Sequence, residues 1–221
     1  MIWKARAVSF LAKAAKFRKG AKSGSMKHME PDFEPAGIRY SSYPFPPASV
    51  FPSGVVAPEA IAEVDIEATP PEVRLRSGET LFVSAVKKDA LRVFAFAHNI
   101  ELVQRVDIWG WISEPWVDVQ HEQSELDNLV NWLGECGVSK SEVLALWQQL
   151  NAPMHAYNIE SGLWDWVHLG LCSVLDALMG TLSGEIHKLD PVDFQRFYWE
   201  AMRIARLAPT RKEWDSKHPR A

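Results

Sequence analysis

The longest mainly apolar run of the chain covers residues 163–179 and places the tightest constraint on the fold. On a helix, which turns about 100° per residue, its apolar side chains share one broad face. Its polar side chains, three or four residues apart, share one narrow stripe: Asp165, His168, Cys172 and Asp176. A helix with so wide an apolar face packs against neighbours on several sides. We therefore predict a central buried helix over residues 163–179.

The same stripe contains an imidazole, a thiol and two carboxylates, which are the groups that thiol hydrolases and metal sites use. In one interpretation the stripe is the polar edge of a buried helix, and Cys172 acts as a small apolar residue. In the other, His168 and Cys172 are the centre of a small metal- or thiol-dependent hydrolase, supported by Asp165 and Asp176. A zinc site needs three or four ligands, which one helix face does not supply. We therefore expect no catalytic residue, no metal and no cofactor.

The net charge of −4 conceals a strong separation of charge along the chain. Residues 1–29 carry +8 and residues 208–221 carry +2, so residues 30–207 carry −14. Most of this surplus falls within residues 114–193, where thirteen acidic side chains are accompanied by only two lysines. A surface so acidic attracts cationic partners and repels the phosphates of nucleic acid.

Composition divides the chain into four segments. Residues 1–25 are a basic amphipathic tail, and residues 26–72 are an extended arm, because nine prolines in residues 31–71 exclude regular helix and central strand. We expect residues 26 to about 58 of this arm to lie across the surface and to pin their Tyr and Phe side chains onto the domain. Residues 73–207 are a single α+β domain, and residues 208–221 are a polar C-terminal tail.

The basic tail has Trp3, Phe10 and Phe17 at heptad spacing, and several of its basic side chains lie on another side of the predicted helix. Four interpretations compete. The tail is an interfacial membrane helix, an organellar presequence, an arm for nucleic acid, or a segment that docks on the acidic body or stays frayed. Residues 20–25 have the composition of a flexible linker, so the natural start is either Met1 or Met26.

Within the domain, strands are expected to precede helices. Residues 73–119 are rich in β-formers and predict a small antiparallel sheet, with strands over 73–76, 80–86, 90–98 and 105–112. Residues 124–207 predict four helices. Their start signals are a cap at Ser124, a capping box from Ser139 to Glu142, and a cap at Asp190 before Pro191. Strands followed by helices predict an α+β fold with a four-helix C-terminal half around the central helix.

No motif in the sequence names a reaction. The leading hypothesis is a non-enzymatic binding protein of the inhibitor or immunity type, whose acidic patch docks a basic protein partner such as a toxin or nuclease. The predicted contact residues are Glu114, Trp116, Asp118, Glu122, Glu125, Asp127 and Trp132. An exposed tryptophan, Trp116 or Trp132 for instance, is expected to be an anchor.

Two other hypotheses remain. The hydrolase is the alternative, and a peripheral membrane protein anchored by residues 2–19 is the third. The thiols of Cys136 and Cys172, in a chain with neither a secretory signal nor a run long enough to span a membrane, indicate a cytoplasmic protein.

Overall fold

The computed structural model describes residues 29–117, 121–160 and 168–219. In these residues two sheets and seven α-helices confirm the predicted α+β class. The strands are β1 (Asp32–Glu34), β2 (Gly37–Tyr40), β3 (Gly54–Val56), β4 (Ile61–Asp65), β5 (Glu72–Leu75), β6 (Thr80–Phe82) and β7 (Glu101–Leu102). The helices are α1 (Lys88–Ala97), α2 (Ile108–Ser113), α3 (Gln123–Glu135), α4 (Lys140–His155), α5 (Leu171–Leu178), α6 (Pro191–Ala205) and α7 (Arg211–Lys217). None of the helices in these residues is long and apolar enough to cross a membrane.

The prediction that the proline-rich arm lies across the surface is wrong. Its first part forms an antiparallel three-stranded sheet in the order β1-β2-β3. Pro31 and Pro35 flank β1 without interrupting it. The connection from β2 to β3 inserts Tyr43 and Phe45 into the core, where both are buried. The prolines therefore limit the length of the strands and do not prevent them.

The second sheet has the strand order β6-β5-β4-β7 and takes β4 from the arm. β4 pairs antiparallel with β5 and parallel with β7, so the prediction of an antiparallel sheet confined to residues 73–119 is wrong. The chain reaches β7 from β4 through β5, β6 and α1, because parallel neighbours need a long crossover. The strands expected near 73–76 and 80–86 are present as β5 and the shorter β6.

The segments predicted as strands over 90–98 and 105–112 contain helices. α1 buries residues three and four positions apart on one face, which is helical spacing. α2 begins where the carboxylate of Asp107 accepts a 2.7 Å hydrogen bond from the backbone N–H of Gly110. The apolar pattern of both segments fits a strand as well as a helix. The helix cap and the face that packs on the core therefore determine that these segments are helical.

The C-terminal helices follow their local start signals. α4 begins with the predicted capping box, in which Ser139 N donates to the Glu142 carboxylate (2.8 Å) and Glu142 N donates to Ser139 Oγ (3.3 Å). α6 begins at the predicted cap, Asp190. The cap of α3 is Glu122 and not the predicted Ser124.

The central helix is shorter than predicted. Residues 163–167 lie outside the described residues, and residues 168–170 are not helical. α5 begins after Gly170, whose backbone is extended (φ −129°, ψ −165°). Seven of its eight residues are buried, and it contacts α2, α4 and α6.

The prediction of a polar tail over residues 208–221 is wrong, because this segment contains α7. Thr210 and Glu213 form a capping box at its start. The Trp214 side chain is buried, and its ring centroid lies 5.0 Å from that of Trp111. The large apolar area of one indole therefore fixes to the body a segment whose other side chains are mostly polar.

Two arginines join the second sheet to the C-terminal helices. Arg105 pairs through two guanidinium nitrogens with the Glu63 carboxylate on β4 and donates a 2.5 Å hydrogen bond to the carbonyl of Ala208. Arg74 on β5 pairs with Glu72 (Nη2–Oε2, 2.7 Å) and donates to a carbonyl at the end of α6 (2.9 Å). All four charged side chains are between 13% and 23% exposed, so the pairs are only partly screened by solvent.

A buried carboxylate links β6 to α6. Glu79 is 1% exposed, and its Oε1 accepts hydrogen bonds from the Tyr198 hydroxyl (2.7 Å) and from Ser49 N (3.0 Å). Its Oε2 and the hydroxyl of Tyr40, which is also buried, have no hydrogen-bond partner in the described part of the chain. Because a buried carboxylate is costly without donors, the Tyr198 hydroxyl is a stabilising contact and the Tyr40 hydroxyl is not.

The two tyrosines provide a matched test of this cluster. Tyr198→Phe should lower the free energy of unfolding by about 1–3 kcal/mol, because the Glu79 carboxylate loses a donor inside the core. Tyr40→Phe is the same substitution at a buried tyrosine whose hydroxyl makes no hydrogen bond. It should change the free energy of unfolding by less than about 0.5 kcal/mol. Urea denaturation of the two variants measures both values. Equal losses in the two variants would contradict the assignment.

Candidate functional site

An aspartate–histidine pair joins the start of α2 to the segment that precedes α5. His168 Nε2 lies 2.6 Å from Asp107 Oδ2, and Asp107 Oδ1 caps α2 through Gly110 N. Gly170 passes beside the pair, since a β-carbon there would lie 3.4 Å from His168 Nε2. The His168 side chain is 31% exposed and that of Asp107 is 46% exposed, so solvent reaches both groups.

The charges around His168 favour its protonated form. Burial lowers the pKa of His168, but the hydrogen bond and the charge of Asp107, with the charges of Glu114 and Glu72, outweigh burial and raise this pKa above its ordinary value. Burial also raises the pKa of Glu72, an effect that the Arg74 guanidinium opposes. When His168 is protonated the contact is an ion pair, and it holds the segment before α5 against the start of α2.

The predicted polar stripe does not form. His168 precedes α5, while Cys172 and Asp176 lie within it and are 4% and 3% exposed. Asp165 lies outside the described residues. Burial, with the charges of Asp176 and Glu72, raises the pKa of the Cys172 thiol well above its ordinary value. A buried thiol of this kind is not an activated nucleophile, so the structure gives no support to the thiol-dependent hydrolase.

The metal-dependent form of the hydrolase lacks a binding site in the part of the chain that the structure describes. No three His, Cys, Asp or Glu side chains are grouped there to hold a metal ion. The Cys172 Sγ atom lies 3.9 Å from Met29 Sδ, and His168 Nε2 already contacts Asp107 Oδ2.

Four of the predicted contact residues lie at the start of α3 or shortly before it in the chain, and we name them the acidic patch: Glu114, Glu122, Glu125 and Asp127. His121 contacts two of these residues, with Nε2 3.1 Å from the backbone carbonyl oxygen of Glu114 and Nδ1 3.8 Å from Glu125 Oε2. The side chains of Glu122 and Glu125 also form the capping box of α3. Glu122 and Asp127 are exposed, and the other two are half-buried. Asp118 lies outside the described residues.

The predicted tryptophan anchors are not exposed, so this part of the prediction is wrong. Trp116 is 5% exposed, and its Nε1 donates to Asn151 Oδ1 at 3.3 Å. Trp132 is half-buried, with its ring centroid 5.6 Å from that of Trp111. The indole ring is large and mostly apolar, so it is usually buried even where the surrounding sequence is polar.

Many of the remaining acidic side chains between residues 114 and 193 serve the fold. Each of the following caps a helix or contacts a lysine, arginine or histidine side chain: Glu135, Glu142, Glu185, Asp190 and Asp193. These five carboxylates are therefore committed to contacts within the fold and contribute less of the acidic charge that a partner would meet.

The Asp107–His168 pair could not be found from the sequence. Asp107 stood in a predicted strand and His168 in a predicted helix, and no spacing rule connects side chains of different elements. The one local signal was the ability of an aspartate three residues before Gly110 to cap a helix. That signal predicts α2 but not the histidine.

No protein family, no curated protein and no solved structure matches the chain.

The Asp107–His168 pair predicts a dependence of stability on pH. Because the folded-state pKa of His168 is raised, its stabilising contribution is complete below the unfolded-state pKa of about 6.5 and is lost as the pH rises through the folded-state value. Asp107→Asn keeps the helix cap but removes the charge. It should lower the His168 pKa in an NMR titration and lower stability at about pH 5 more than at about pH 9.

The control for this experiment is His168→Gln in both backgrounds. The effect of Asp107→Asn at low pH should disappear when His168 is absent, because the cycle isolates the interaction of the pair. An equal effect of Asp107→Asn at both pH values would show that only the cap matters.

Both cysteines should be unreactive in the folded protein. Burial, with the charge of Glu135, raises the pKa of Cys136 to about 11, and burial raises the pKa of Cys172 well above its ordinary value. At about pH 8, iodoacetamide should modify either thiol at least about a hundredfold more slowly in buffer than in denaturant. Intact mass spectrometry measures the rates. Rapid modification of Cys172 in buffer would revive the thiol-dependent hydrolase.

Proposed function

We propose that the protein is a non-enzymatic binding protein that docks a basic protein partner through the acidic patch. The observation that carries the proposal is the run of acidic residues at and just before the start of α3, in which Glu122 and Asp127 are exposed and Glu125 Oε2 lies 3.8 Å from His121 Nδ1. Residues 114–139 contain six acidic side chains and neither lysine nor arginine, so this part of the chain brings no cation of its own. A field of one sign attracts cationic surfaces and speeds their association.

The role that fits this chemistry is that of an inhibitor or immunity-type protein whose partner is a basic toxin or nuclease. Such partners bind phosphate-bearing substrates with cationic surfaces, which an acidic patch can cover. The carboxylates of Glu122 and Asp127 are the exposed members and would make the direct contacts. Glu114 and Glu125 would contribute mainly through their charge.

A cytoplasmic location belongs to the same proposal. The two cysteines are free and buried, and their positions in separate elements give no support to a disulfide. Free thiols are the usual state in a reducing compartment.

Charge reversal within and outside the acidic patch tests the proposal. The full chain, Asp127→Lys and Glu101→Lys are immobilised and exposed to native lysate, and the recovered proteins are quantified by mass spectrometry. Asp127 is exposed on α3 and Glu101 is exposed on β7, so both variants change the net charge equally. The wild type and Glu101→Lys should retain one stoichiometric basic protein, and Asp127→Lys should weaken its binding by about tenfold or more.

The affinity for the recovered protein should also fall as salt rises, because exposed charges are screened. Equal recovery of the same proteins by all three forms would overturn the proposal. Loss of binding in Glu101→Lys as well as in Asp127→Lys would show a response to net charge only, and would also overturn it.

A further inference from the structure

The face of α1 that points away from the core is apolar and exposed. Val86, Val93 and Phe96 are 76%, 68% and 67% exposed, and Ala90 and Ala97 are exposed beside them. Ala90, Val93 and Ala97 follow each other at three and four residues, so they form one stripe along the helix. We name these five residues the α1 stripe. Exposed apolar side chains that are contiguous, unlike isolated ones, indicate a surface that another element covers.

The opposite face of α1 is already packed. Leu91, Phe94 and Ala95 are buried, and the ring of Phe94 lies 5.6 Å from that of Phe33 on β1. Charged residues border the stripe, where Arg92 pairs with Asp89 at 2.9 Å. The helix therefore has one face that binds the body and a second apolar face, framed by charge, that the rest of the described chain does not bury.

The chain enters the described part of the structure next to the α1 stripe. The carbonyl of Met29, which is fully buried, accepts a 2.7 Å hydrogen bond from Ser84 N, two residues before Val86. Asp32 at the start of β1 lies 3.9 Å from Lys87 Nζ. Met29, the first described residue, therefore lies next to the N-terminal end of α1.

The segment that precedes Met29 has an apolar pattern that matches the α1 stripe. Residues 2–19 place Trp3, Phe10 and Phe17 at heptad spacing, which on a helix forms an apolar stripe of its own. Two helices with complementary apolar stripes bury them against each other. We propose that residues 2–19 dock on the α1 stripe of the same chain.

The length of the connection fits this arrangement. The ten residues from 20 to 29 include Gly-Ala-Lys-Ser-Gly-Ser and span about 16–19 Å on average as a flexible linker. α1 has ten residues and is about 15 Å long. A linker of this length holds the segment at a millimolar effective concentration, so intramolecular docking exceeds pairing between two copies at micromolar concentration.

This contact is separate from the acidic patch. It involves different residues on a different helix, and it does not depend on a partner protein. Its failure would leave the proposed binding function untouched, and the reverse also holds.

Crosslinking in the full chain tests the docking directly. Phe10→Cys is combined with Val93→Cys, and the control combines Phe10→Cys with Leu144→Cys. Leu144 is 48% exposed on α4, a helix that packs with α2, α3 and α5. The native thiols, Cys136 and Cys172, are buried and contribute little background. With a short bismaleimide, the Val93 pair should give crosslinked monomer in about tenfold higher yield than the Leu144 pair.

Limited trypsin digestion of single variants supplies an independent readout. Docking should protect the basic side chains between residues 13 and 19 from cleavage. Val93→Asp places a charge under the docked segment and should speed this cleavage about tenfold, the factor expected for the loss of one large apolar contact. Leu144→Asp should leave the rate unchanged. Both substitutions lie at exposed positions, so circular dichroism should show an intact fold for each.

Three results would overturn the proposal. The first is an equal yield of crosslinked monomer for the Val93 and Leu144 pairs. The second is a product that is mainly dimeric, which would make a second copy the occupant of the α1 stripe. The third is protection from trypsin that appears only when phosphatidylserine-containing vesicles are added, which would assign residues 2–19 to a membrane surface.

Discussion

The ion pair between Arg105 and Glu63 is the interaction on which most of the architecture depends. It places a guanidinium between β4 and the carbonyl of Ala208, while the backbone N–H of Arg105 donates to Asp65 at 2.7 Å. Burial raises the pKa of the Asp65 carboxyl, and the donors around it oppose that shift. Removing one partner would leave the other charge desolvated and unpaired, which costs far more than the pair contributes. The second sheet and the C-terminal part of the chain are therefore held together by charges whose separation would cost much free energy.

Local chemistry explains which parts of this fold were predictable. The starts of α4 and α6 were correct because Ser139, Glu142 and Asp190 cap their own helices, and such contacts do not depend on the rest of the chain. α1 and α2 were missed because alternating apolar residues satisfy a strand and a helix alike. Only packing distinguishes the two: Leu91 and Phe94 enter the core together, one turn apart. Parallel pairing of β4 with β7 carries no local signal at all.

The candidate site was less predictable than the fold, for a different physical reason. The predicted stripe depends on one uninterrupted helix from residue 163, but α5 begins only after Gly170, eight residues later. The partners that fix His168 come from α2 and β5, so no window of sequence contains them. Composition predicted the acidic charge correctly, but it does not distinguish carboxylates that cap helices from carboxylates that face a partner.

The contact between Glu79 and Tyr198 has a consequence for how the chain is made. The carboxylate is synthesised early and its hydroxyl donor late, and between them the ribosome must add every residue of α1 to α5. Until α6 emerges, the Glu79 carboxylate has the Ser49 N–H but lacks its Tyr198 donor. This contact of the core is therefore among the last that the growing chain can complete.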